Sequence, residues 1–494
     1  MSAPLPPPPS SDSAPEPAQP SGTPKTWKVG TLTYTTGGLT VLFLWLLWGD
    51  FAWAMRDRSI VGMASWYLSS LQVPNWVFGI LMSSFPGAVS LLLGPIISLK
   101  SDRHRGKWGR RIPFLLVTTP IAALGMVGLA LTPVLSKWLH SLGQADSVFG
   151  AKLHLWLGDS GWGAGLLSAL ENETVVAVLC FTVFWAAFEF ATIAGQSVFG
   201  GLINDVVPQA LLGRFYALFR AISLIDGMIF NYWIMGHVPD HFTLILATIG
   251  IFYGVAFMWV CLKVKEGGYP PPPPLDPNQT TWARGFIAGA RTYLQECFKH
   301  PYYLRVFILM MAATMAFLPI NTFALPYAKS LAVDMKTYGS YLALTFMISL
   351  GLAFPLGWLV DRVHPLRVVA GSLAGYLLVT IAATFLVKDA STFLFFWVAH
   401  GVLSGCYFTS AASLGQRLFP REKFAQFASA ALLFAAPMHM GLAPLVGLII
   451  DRTGDVYRHA FTAGGVLAFI SLVAAWSVYG RFKKLGGPKN YVAP

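Results

Sequence analysis

The sequence predicts an all-α integral membrane protein in which twelve transmembrane helices form two related six-helix bundles. Apolar residues make up 55% of the chain and charged residues only 11%, whereas a soluble domain carries about 25% charged residues. Twelve apolar stretches are each long enough to cross a bilayer core, for which about 20 residues suffice. A set of residues also recurs between the two parts of the chain at a constant offset.

The twelve apolar stretches divide into two groups of six, separated by a polar linker. The first six predicted spans lie at 32–54, 76–99, 113–134, 174–196, 213–236 and 242–262. The second six lie at 302–328, 338–360, 366–387, 393–415, 427–450 and 460–479. The predicted organisation is therefore an N-tail (1–30), an N-terminal bundle (31–262), a cytoplasmic linker (263–301), a C-terminal bundle (302–480) and a cytoplasmic tail (481–494).

Three segments outside the spans have distinctive compositions. The N-tail is rich in Pro and Ser, which predicts disorder, and it shows no pattern of a cleavable signal peptide. In the linker, the proline run 270–274 predicts a stiff spacer, and 282–299 could form a surface helix. The long segment 135–173 could either cap the outer mouth or be a loosely ordered insertion.

The distribution of positive charge predicts the orientation in the membrane. The net charge is +12, but the cations are spread over short loops between spans, which argues against nucleic-acid binding. Most of the 34 Lys and Arg residues fall in loops that are cytoplasmic if the N-terminus is inside, as the positive-inside rule requires. We expect both termini to be cytoplasmic, with Arg220 as the single cation inside a span.

The two halves repeat one another at an offset of 212 positions. Trp185 and Pro208 in the first half recur as Trp397 and Pro420 in the second. This repeat predicts two bundles of the same construction.

The loop after the second span reads SDRHRGKWGRRIPF over residues 101–114. It resembles the corresponding loop of major facilitator superfamily transporters, and its spacing is similar to that of the glycoside–pentoside–hexuronide branch, sucrose-transporter-like members in particular. The resemblance implies the major facilitator fold, with substrate bound near the midplane between the bundles. It also implies a cytoplasmic latch that joins the bundles when the site faces outward, formed by Asp102, Arg103, Gly109, Arg110, Arg111 and Asp205 with the shortened copy Gly357, Asp361 and Arg362.

Four ionisable residues fall inside the spans of the first half: Asp50, Glu189, Arg220 and Asp226. Each costs at least ~2.5–3.5 kcal/mol at bilayer depth, so each is a functional candidate. The spans of the second half contain no carboxylate. We therefore expect the first half to handle the coupling ion and the second to supply substrate contacts and gates.

Glu189 belongs to a polar stripe on the fourth span. Thr182, Trp185, Glu189, Thr192 and Gln196 follow at spacings of three and four, which place them on one helical face. Such a stripe should face a wet cavity, and partial burial favours the neutral form of a carboxylate, so Glu189 could bind and release a proton. The alternative is a structural carboxylate paired with a cation.

The sucrose-transporter-like resemblance implies the same coupling role. Those proteins carry an acid, a Gln and a second acid at the positions of Glu189, Gln196 and Asp205. The plant members also carry an Arg where this chain has Gly200. Arg220 and Asp226 lie about 240° apart around their helix axis, so they do not face each other. Arg220 must therefore have its partner on another helix, and our hypothesis is that this partner is Glu189.

The resemblance also favours protons over sodium as the coupling ion. Sodium-coupled members such as melibiose permease carry two Asp residues in the second helix. Here those positions are Ser90 and Gly94.

Asp50 lies among tryptophans, including Trp53, in what is predicted to be the outer end of the first span. This pattern suits sugar recognition and suits an interfacial aromatic belt equally well. Trp185 and Gln196 are further candidates for substrate contacts. Asn321, between two prolines of the seventh span, could both gate and bind.

Two histidines in the second half have two interpretations each. His400 and His439 are either substrate ligands or hydrogen-bonded packing residues. Asp451 and the Arg that follows it repeat the Asp-Arg pair of the loop after the second span. The predicted topology places Asp451 on the outer side of the membrane, so we do not expect it to act as a cytoplasmic gate.

The predicted function is secondary active transport of a sucrose- or maltose-like sugar or glycoside in symport with protons. The alternatives are a proton-coupled carrier of another small solute or, without support from any catalytic motif, a membrane enzyme. No cofactor and no metal site are expected. The predicted partners are the solute and the bilayer, the oligomeric state is a monomer, and the location is the cell membrane.

Overall fold

The computed structural model describes residues 26–144, 146–157, 161–271, 297–420 and 423–494. Almost all of this part of the chain is helical. Eleven helical stretches in it are long and apolar enough to cross a membrane. The longest, Gln209–Lys263, contains two helices joined by a π-helical and a 3-10 turn, so twelve long helices are described, as predicted. In the N-terminal half these are α1 (Thr36–Ser70), α2 (Asn75–Arg103), α3 (Ile112–Gly143), α4 (Glu173–Val206), α5 (Gln209–Ile229) and α6 (Val238–Lys263). In the C-terminal half they are α7 (Pro301–Ser330), α8 (Met335–Val363), α9 (Pro365–Leu386), α10 (Ala390–Ala411), α11 (Phe424–Arg452) and α12 (His459–Lys484).

The remaining elements are short. Strands β1 (Thr26–Val29) and β2 (Leu32–Thr35) form an antiparallel hairpin before α1. Short helices lie at Val148–Leu157, Gly161–Glu171, Leu414–Leu418 and Gly487–Asn490. A π-helical turn interrupts α2 at Ile80–Ser84, and another extends α5 at Phe230–Ile234.

Because the number of crossings is even, the segments before α1 and after α12 lie at the same end of the bundle, which we name the tail face. The segment after α6 also lies there, since the Gly268 amide donates to the Thr31 hydroxyl at 2.7 Å. The loop between α2 and α3 joins it, since Arg105 donates to the Pro270 carbonyl at 2.9 Å. The other end is the opposite face.

The same pairs of helices pack in the two halves, as the sequence repeat predicts. In the N-terminal half α3 packs on α4 and α6, and α1 packs on α6. In the C-terminal half α9 packs on α10 and α12, and α7 packs on α12.

Contacts between the halves run from α2 to α11, from α5 to α8 and from α1 to α7. The α2–α11 crossing is close because it lacks side chains where the helices touch. A Cβ atom on Gly79 would lie 2.7 Å from the carbonyl carbon of Ala443, which is shorter than a van der Waals contact.

The first helix differs from its prediction. It ends at Ser70 and not near residue 54, so Arg56, Asp57 and Arg58 lie inside the membrane helix and not in an outer loop. The expectation that Arg220 is the single cation within a span is therefore wrong. These charges are tolerated in the helix because Arg56 pairs with Asp57 and stacks on aromatic rings.

Two other predicted boundaries change, and two predictions lie outside the described residues. The hairpin occupies the end of the predicted disordered N-tail, and α12 continues to Lys484. The segment after α3 forms two short helices that pack on α3 and α4 of the N-terminal half. The N-tail up to residue 25 and most of the linker, 272–296, with its proposed surface helix, are not described.

Candidate functional site

A cavity of about 420 Å³ lies between the two halves, within the usual size range of small-molecule sites. Residues of α1, α5, α7, α8 and α10 line it. The polar lining combines three charged groups with amides and hydroxyls: Asp57, Arg58, Arg220, Ser65, Asn231, Asn321, Thr322, Thr345, Ser349 and Ser404. Four aromatic rings complete it: Tyr338, Phe346, Trp397 and Phe408.

Two arginines place positive charge on this cavity from the N-terminal half. Arg58 donates to the Ser223 hydroxyl at 2.8 Å and to the Ser223 carbonyl at 3.2 Å. Its guanidinium lies 4.8 Å from the ring of Phe346, across the junction of the halves. Arg220 is exposed, and in the part of the chain that the structure describes it makes no ion pair.

Arg56 lies behind the cavity wall and has no access to solvent. It binds Asp57 through Nη2 at 2.6 Å and Nε at 3.1 Å. Its guanidinium stacks 3.9 Å from the Trp53 ring and 4.6 Å from the Tyr253 ring. Because Asp57 lines the cavity, Arg56 connects the cavity to the interior of the N-terminal half.

Glu189 is 9% exposed, and the charged groups that act on it are Asp57 and Arg56. No ion pair joins it to Arg220 among the described residues. The predicted Glu189–Arg220 pairing is therefore wrong, because Arg56 on α1 occupies the position near Glu189.

Asp50 and Asp226 are two further buried carboxylates of the N-terminal half. Asp226 is fully buried, and neither of its oxygens has a hydrogen-bond partner in the described structure; one Asp50 oxygen also lacks a partner. Asp50 and Arg58 are the charged groups that act on Asp226. Asp50 lies in the middle of α1, not at its outer end, and outside the cavity lining.

The carboxylates and arginines described above form one cluster, which we name the charged cluster, and its charge is unbalanced. It contains four carboxylates, on Asp50, Asp57, Glu189 and Asp226, and three guanidinium groups, on Arg56, Arg58 and Arg220. If all seven are ionised, the sum is one negative charge, which one proton would neutralise.

The predicted tryptophan and glutamine contacts lie outside the cavity. Trp185 is buried and donates to the Leu81 carbonyl at 2.9 Å. Trp53 is buried between Arg56 and Phe199. Gln196 is exposed but does not line the cavity.

Asn321 does line the cavity, just after α7 breaks at Phe317. Its side-chain oxygen lies 3.0 Å from Nε2 of His400, and the other ring nitrogen of His400 lies 2.9 Å from the Tyr376 hydroxyl. His400 is fully buried, so it orients Asn321 rather than facing the cavity. His439 packs at the α2–α11 junction against Gly87, outside the lining.

At the tail face, the structure brings the motif residues of the N-terminal half together. Asp205 accepts from Arg110 Nε at 2.9 Å and from Arg111 Nε at 3.2 Å, and Arg111 also binds Asp102. The hydrogen bond to Asp205 raises the pKa of Arg110.

Glu266 completes this network and was not recognised from the sequence. Its carboxylate accepts from the backbone amides of Arg110, Arg111 and Ile112 at 2.9, 2.8 and 2.7 Å, at the start of α3. The Tyr269 hydroxyl also donates to it at 2.7 Å. Gly109 has φ +99° and lies against Glu266, so a side chain there would displace the carboxylate.

The predicted latch between this network and the second half is not formed in this structure. Within the described ranges, Asp361 is exposed and makes no ion pair. Arg362 stacks on Trp358 of its own helix at 5.1 Å. Arg103 ends α2, and Gly357 lies within α8.

At the opposite face, Asp451 joins the halves, although the sequence argument discounted it as a gate. It accepts from the backbone and side-chain nitrogens of Asn75 at 2.9 and 2.8 Å and from the Trp76 amide at 3.1 Å. Lys329 of α7 adds a hydrogen bond to the Trp66 carbonyl of α1 at 3.1 Å. We name the Asp451 contacts with Asn75 and Trp76 the opposite-face clamp.

Comparisons with known proteins agree with this architecture. The sequence profile of the family described as Major Facilitator Superfamily matches residues 307–491. Comparison with curated protein sequences gives no match.

Three solved structures illustrate the similarity of fold. A bacterial homolog of the human lysosomal transporter Spinster, inward-facing and unoccupied, has a TM-score of 0.62 at 15% identity and covers 93% of this chain and 100% of its own. The nucleoside transporter NupG has a TM-score of 0.58 at 12% identity and covers 90% of this chain and 99% of its own. A D-xylose-proton symporter has a TM-score of 0.56 at 12% identity and covers 87% of this chain and 97% of its own. The chain is therefore similar to the Major Facilitator Superfamily profile over most of its C-terminal half, and it shares the all-α fold of these solved structures over most of its length.

Proposed function

We propose that the protein is a proton-coupled symporter of a sugar or glycoside, of the sucrose-transporter-like type, working by alternating access. The observation that carries the proposal is the cavity between the halves, in which hydroxyls and amides from both bundles surround a common space. A secondary transporter needs a site that both halves share, because their relative movement exposes it to each side in turn.

The lining suits a polyhydroxylated solute. Asn231 and Asn321 each offer a donor and an acceptor, and the serine and threonine hydroxyls can do either. Tyr338 and Trp397, which stack on one another at 5.7 Å, present apolar surface to the ring face of a sugar. Asp57 supplies a carboxylate acceptor at the same wall.

Arg56 provides the link between proton and solute. When Glu189 is ionised, Arg56 lies near two carboxylates, Glu189 and Asp57. Protonation of Glu189 leaves Asp57 as the remaining partner of Arg56, which changes the charge that Asp57 presents to the cavity. Solute affinity then depends on the protonation of Glu189, while Arg220 and Asp226 set the charge of the surrounding cluster.

The contacts between the halves favour a cavity that opens toward the tail face. The opposite-face clamp and the Lys329–Trp66 contact both lie at the other end. We infer that the tail face is cytoplasmic, because the basic loop after α2 lies there, and that the chain works as a monomer in the cell membrane with both termini inside.

The test is uptake of labelled disaccharides by proteoliposomes under an imposed pH gradient. We expect Glu189→Gln to abolish accumulation against a solute gradient while it preserves solute exchange, because the variant cannot release a proton. Glu173→Gln is the matched control, since Glu173 is exposed at the opposite-face end of the same helix.

Two results would contradict the assignment. Concentrative uptake by the Glu189→Gln protein would remove Glu189 from coupling. Uptake by the unmodified protein that follows a sodium gradient and ignores the pH gradient would replace the proton by sodium.

A second candidate function is transport of an anionic solute, and the charge of the cavity favours it. Arg58 and Arg220 line the wall together with a single acid, Asp57. Competition for uptake by a sugar acid, compared with the neutral sugar of the same ring, distinguishes the two. Arg220→Gln should weaken only the anionic competitor.

A further inference from the structure

The short helix Val148–Leu157, which follows α3 at the opposite face, turns large apolar side chains outward. Four of them expose more than half of their surface: Val148 (81%), Phe149 (58%), Leu155 (82%) and Trp156 (79%). Their spacing places them on one side of the helix, while Gly150 and Leu157 on the other side are buried. An exposed apolar patch of this kind marks an interaction surface, because its contact with water is unfavourable.

The neighbouring helices hold this helix from its buried side. His154 donates from Nε2 to the Gly143 carbonyl, the last of α3, at 3.2 Å. His140 of α3 donates from Nδ1 to the Leu170 carbonyl of the next short helix at 2.9 Å. The helix also packs on α3 and on that short helix, Gly161–Glu171. It is therefore fixed at the end of α3, with its apolar side directed away from both.

The surface of α3 shows where the bilayer ends. Its exposed apolar residues recur at spacings of three, four and seven, which makes one stripe: Val117, Ile121, Leu124, Leu131, Val134 and Trp138. On a membrane-spanning helix such a stripe faces lipid. From Val117 to Trp138 the helix rises about 32 Å, which matches the ~30 Å hydrocarbon core of a bilayer. Trp138 then stands at the boundary, where tryptophan is enriched.

The helix Val148–Leu157 begins just beyond this boundary. Gln144, where α3 has ended, follows Trp138 by about 9 Å along the helix axis. On the returning side, the exposed apolar residues of α4 begin at Val175, three positions after its N-cap Asn172. Both connections thus place the helix at the depth of the lipid headgroups, next to the hydrocarbon.

We propose that the helix Val148–Leu157 is an interfacial anchor whose apolar side is covered by the lipid bilayer at the boundary between headgroups and hydrocarbon. The patch continues the lipid-facing stripe of α3, so one apolar environment covers both. Lys152 is exposed in the middle of the same side. At this boundary its stem can lie along the apolar side chains while its ammonium reaches the phosphates, whereas a protein partner would have to supply a buried carboxylate.

The anchor is an addition to the N-terminal half. In the C-terminal half, the connection between α9 and α10, which correspond to α3 and α4, consists of residues 387–389 alone. The repeated bundle therefore forms without such a helix. In the N-terminal half it ties the opposite-face ends of α3 and α4 to the membrane surface.

The experiment uses the full-length protein with its native cysteines replaced by serine, in vesicles of phosphatidylcholine and phosphatidylglycerol. A spin label is attached at Val148→Cys or Leu155→Cys. Power saturation measures its collisions with oxygen, which concentrates in the bilayer, and with a water-soluble nickel chelate. We expect more collisions with oxygen than with the chelate at both positions. Lys388→Cys is the matched control, exposed at the same face of the C-terminal half, and should show the reverse.

A second substitution tests whether the bilayer holds the apolar side. Trp156→Glu places a charge there, which is unfavourable next to hydrocarbon. The label at Val148 should then collide less with oxygen and more with the chelate. Ser168→Glu adds the same charge at an exposed polar position of the neighbouring short helix and should leave the Val148 label unchanged. Both substitutions are at exposed sites, so the Tm should stay at the value of the parent protein.

Three outcomes would overturn the proposal. More collisions with the chelate than with oxygen at Val148 and Leu155 would place the helix in water. Labels that neither reagent reaches would show that protein, either a second copy of the chain or another partner, covers the patch. An equal response of the Val148 label to Trp156→Glu and Ser168→Glu would show that the bilayer does not hold this side.

Discussion

A guanidinium without access to solvent lies at the centre of the N-terminal half. Removing such an ion from water costs several kcal/mol, which its partners must offset. For Arg56 the partners are the Asp57 carboxylate, the faces of Trp53 and Tyr253, and the charge of Glu189. A residue held by so many groups should contribute to the stability of the fold.

Arg56→Ala should lower the free energy of unfolding by about 3 kcal/mol, because it leaves Asp57 and Glu189 without their cation. Thermal unfolding of the purified protein in detergent measures the loss. Arg362→Ala is the control, since Arg362 stacks on Trp358 at an exposed site and its loss should stay within about 0.5 kcal/mol. Equal losses in the two variants would refute a structural role for Arg56.

The sequence did not reveal that Arg56 lies inside the first helix. Three adjacent charges, Arg56, Asp57 and Arg58, indicate a loop when hydropathy alone is considered. A usable signal was present, since apolar residues resume at Ile60 and continue to Leu68 without a turn residue of the Pro or Asn type. The lone carboxylate Glu189 was easier to recognise, because a single charge stands out in an apolar helix. Its partner could not be deduced from helical spacing within one helix.

At the level of single helices, α3 shows how a remote segment can determine where a helix begins. The first amides of a helix have no partner within it. Here Glu266 accepts from the amides of Ile112, the first residue of α3, of its N-cap Arg111 and of the preceding Arg110. The Tyr269 hydroxyl fixes the carboxylate through a hydrogen bond. Burial and the neighbouring Glu266 also raise the pKa of Tyr269, so its hydroxyl keeps the proton that it donates.

Glu266→Ala should destabilise the start of α3 by about 1–2 kcal/mol, the usual effect of losing an N-cap acceptor. Hydrogen exchange of the amides of Arg110, Arg111 and Ile112 should accelerate, while exchange in α9 stays unchanged. Asp334→Ala is the control because that carboxylate caps α8 through Thr337 alone. Unchanged exchange at Ile112 would show that water replaces the carboxylate without cost.

The helices themselves were predictable because each needs a long apolar run, and all twelve were recognised. Their ends were less so. Ile112 and Glu266 are separated by 154 positions in the chain, and no local pattern connects them. The Asp102 and Arg111 contact lies within one short motif and was therefore accessible from the sequence.

For the whole molecule, the opposite-face clamp determines which side of the cavity is closed. One carboxylate, that of Asp451 in α11, accepts from the first two amides of α2, those of Asn75 and Trp76, and from the Asn75 side chain. Asp455 adds a second acceptor for the same side chain at 2.9 Å. These contacts must break before the cavity can open on that side.

Asp451→Ala should shift the population toward the state open at the opposite face, because the first amides of α2 lose their acceptor. The measurement is the distance between spin labels on Ser70 and Lys388, exposed residues of the two halves at that face, in a protein whose native cysteines are replaced by serine. The label separation should lengthen.

Asp334→Asn serves as the control, since Asp334 caps a helix within one half and Asn can replace it. An unchanged distance distribution in Asp451→Ala would mean that the α2–α11 crossing and the Lys329–Trp66 contact keep this face closed without the Asp451 carboxylate.

The cavity between the halves was the feature least accessible from the sequence. Of the predicted substrate contacts, Asn321 lines it, whereas Trp185, His400 and His439 serve packing or orientation. Its polar lining includes five Ser and Thr side chains on four helices. Such side chains also occur throughout membrane helices, where they bond to the backbone of their own helix. Only the packing of the two halves distinguishes the one use from the other.

The contacts at the tail face show how far each half of the chain is complete without the other. In the first half, Glu266, three positions after the end of α6, accepts from the Ile112 amide. In the second half, the Tyr491 hydroxyl donates to the Leu418 carbonyl, and the Pro494 carbonyl accepts from the Tyr303 hydroxyl. Among the described residues, each half therefore has tail-face contacts of its own. A gene divided within the connecting segment 272–296 would specify two polypeptides that each keep these contacts.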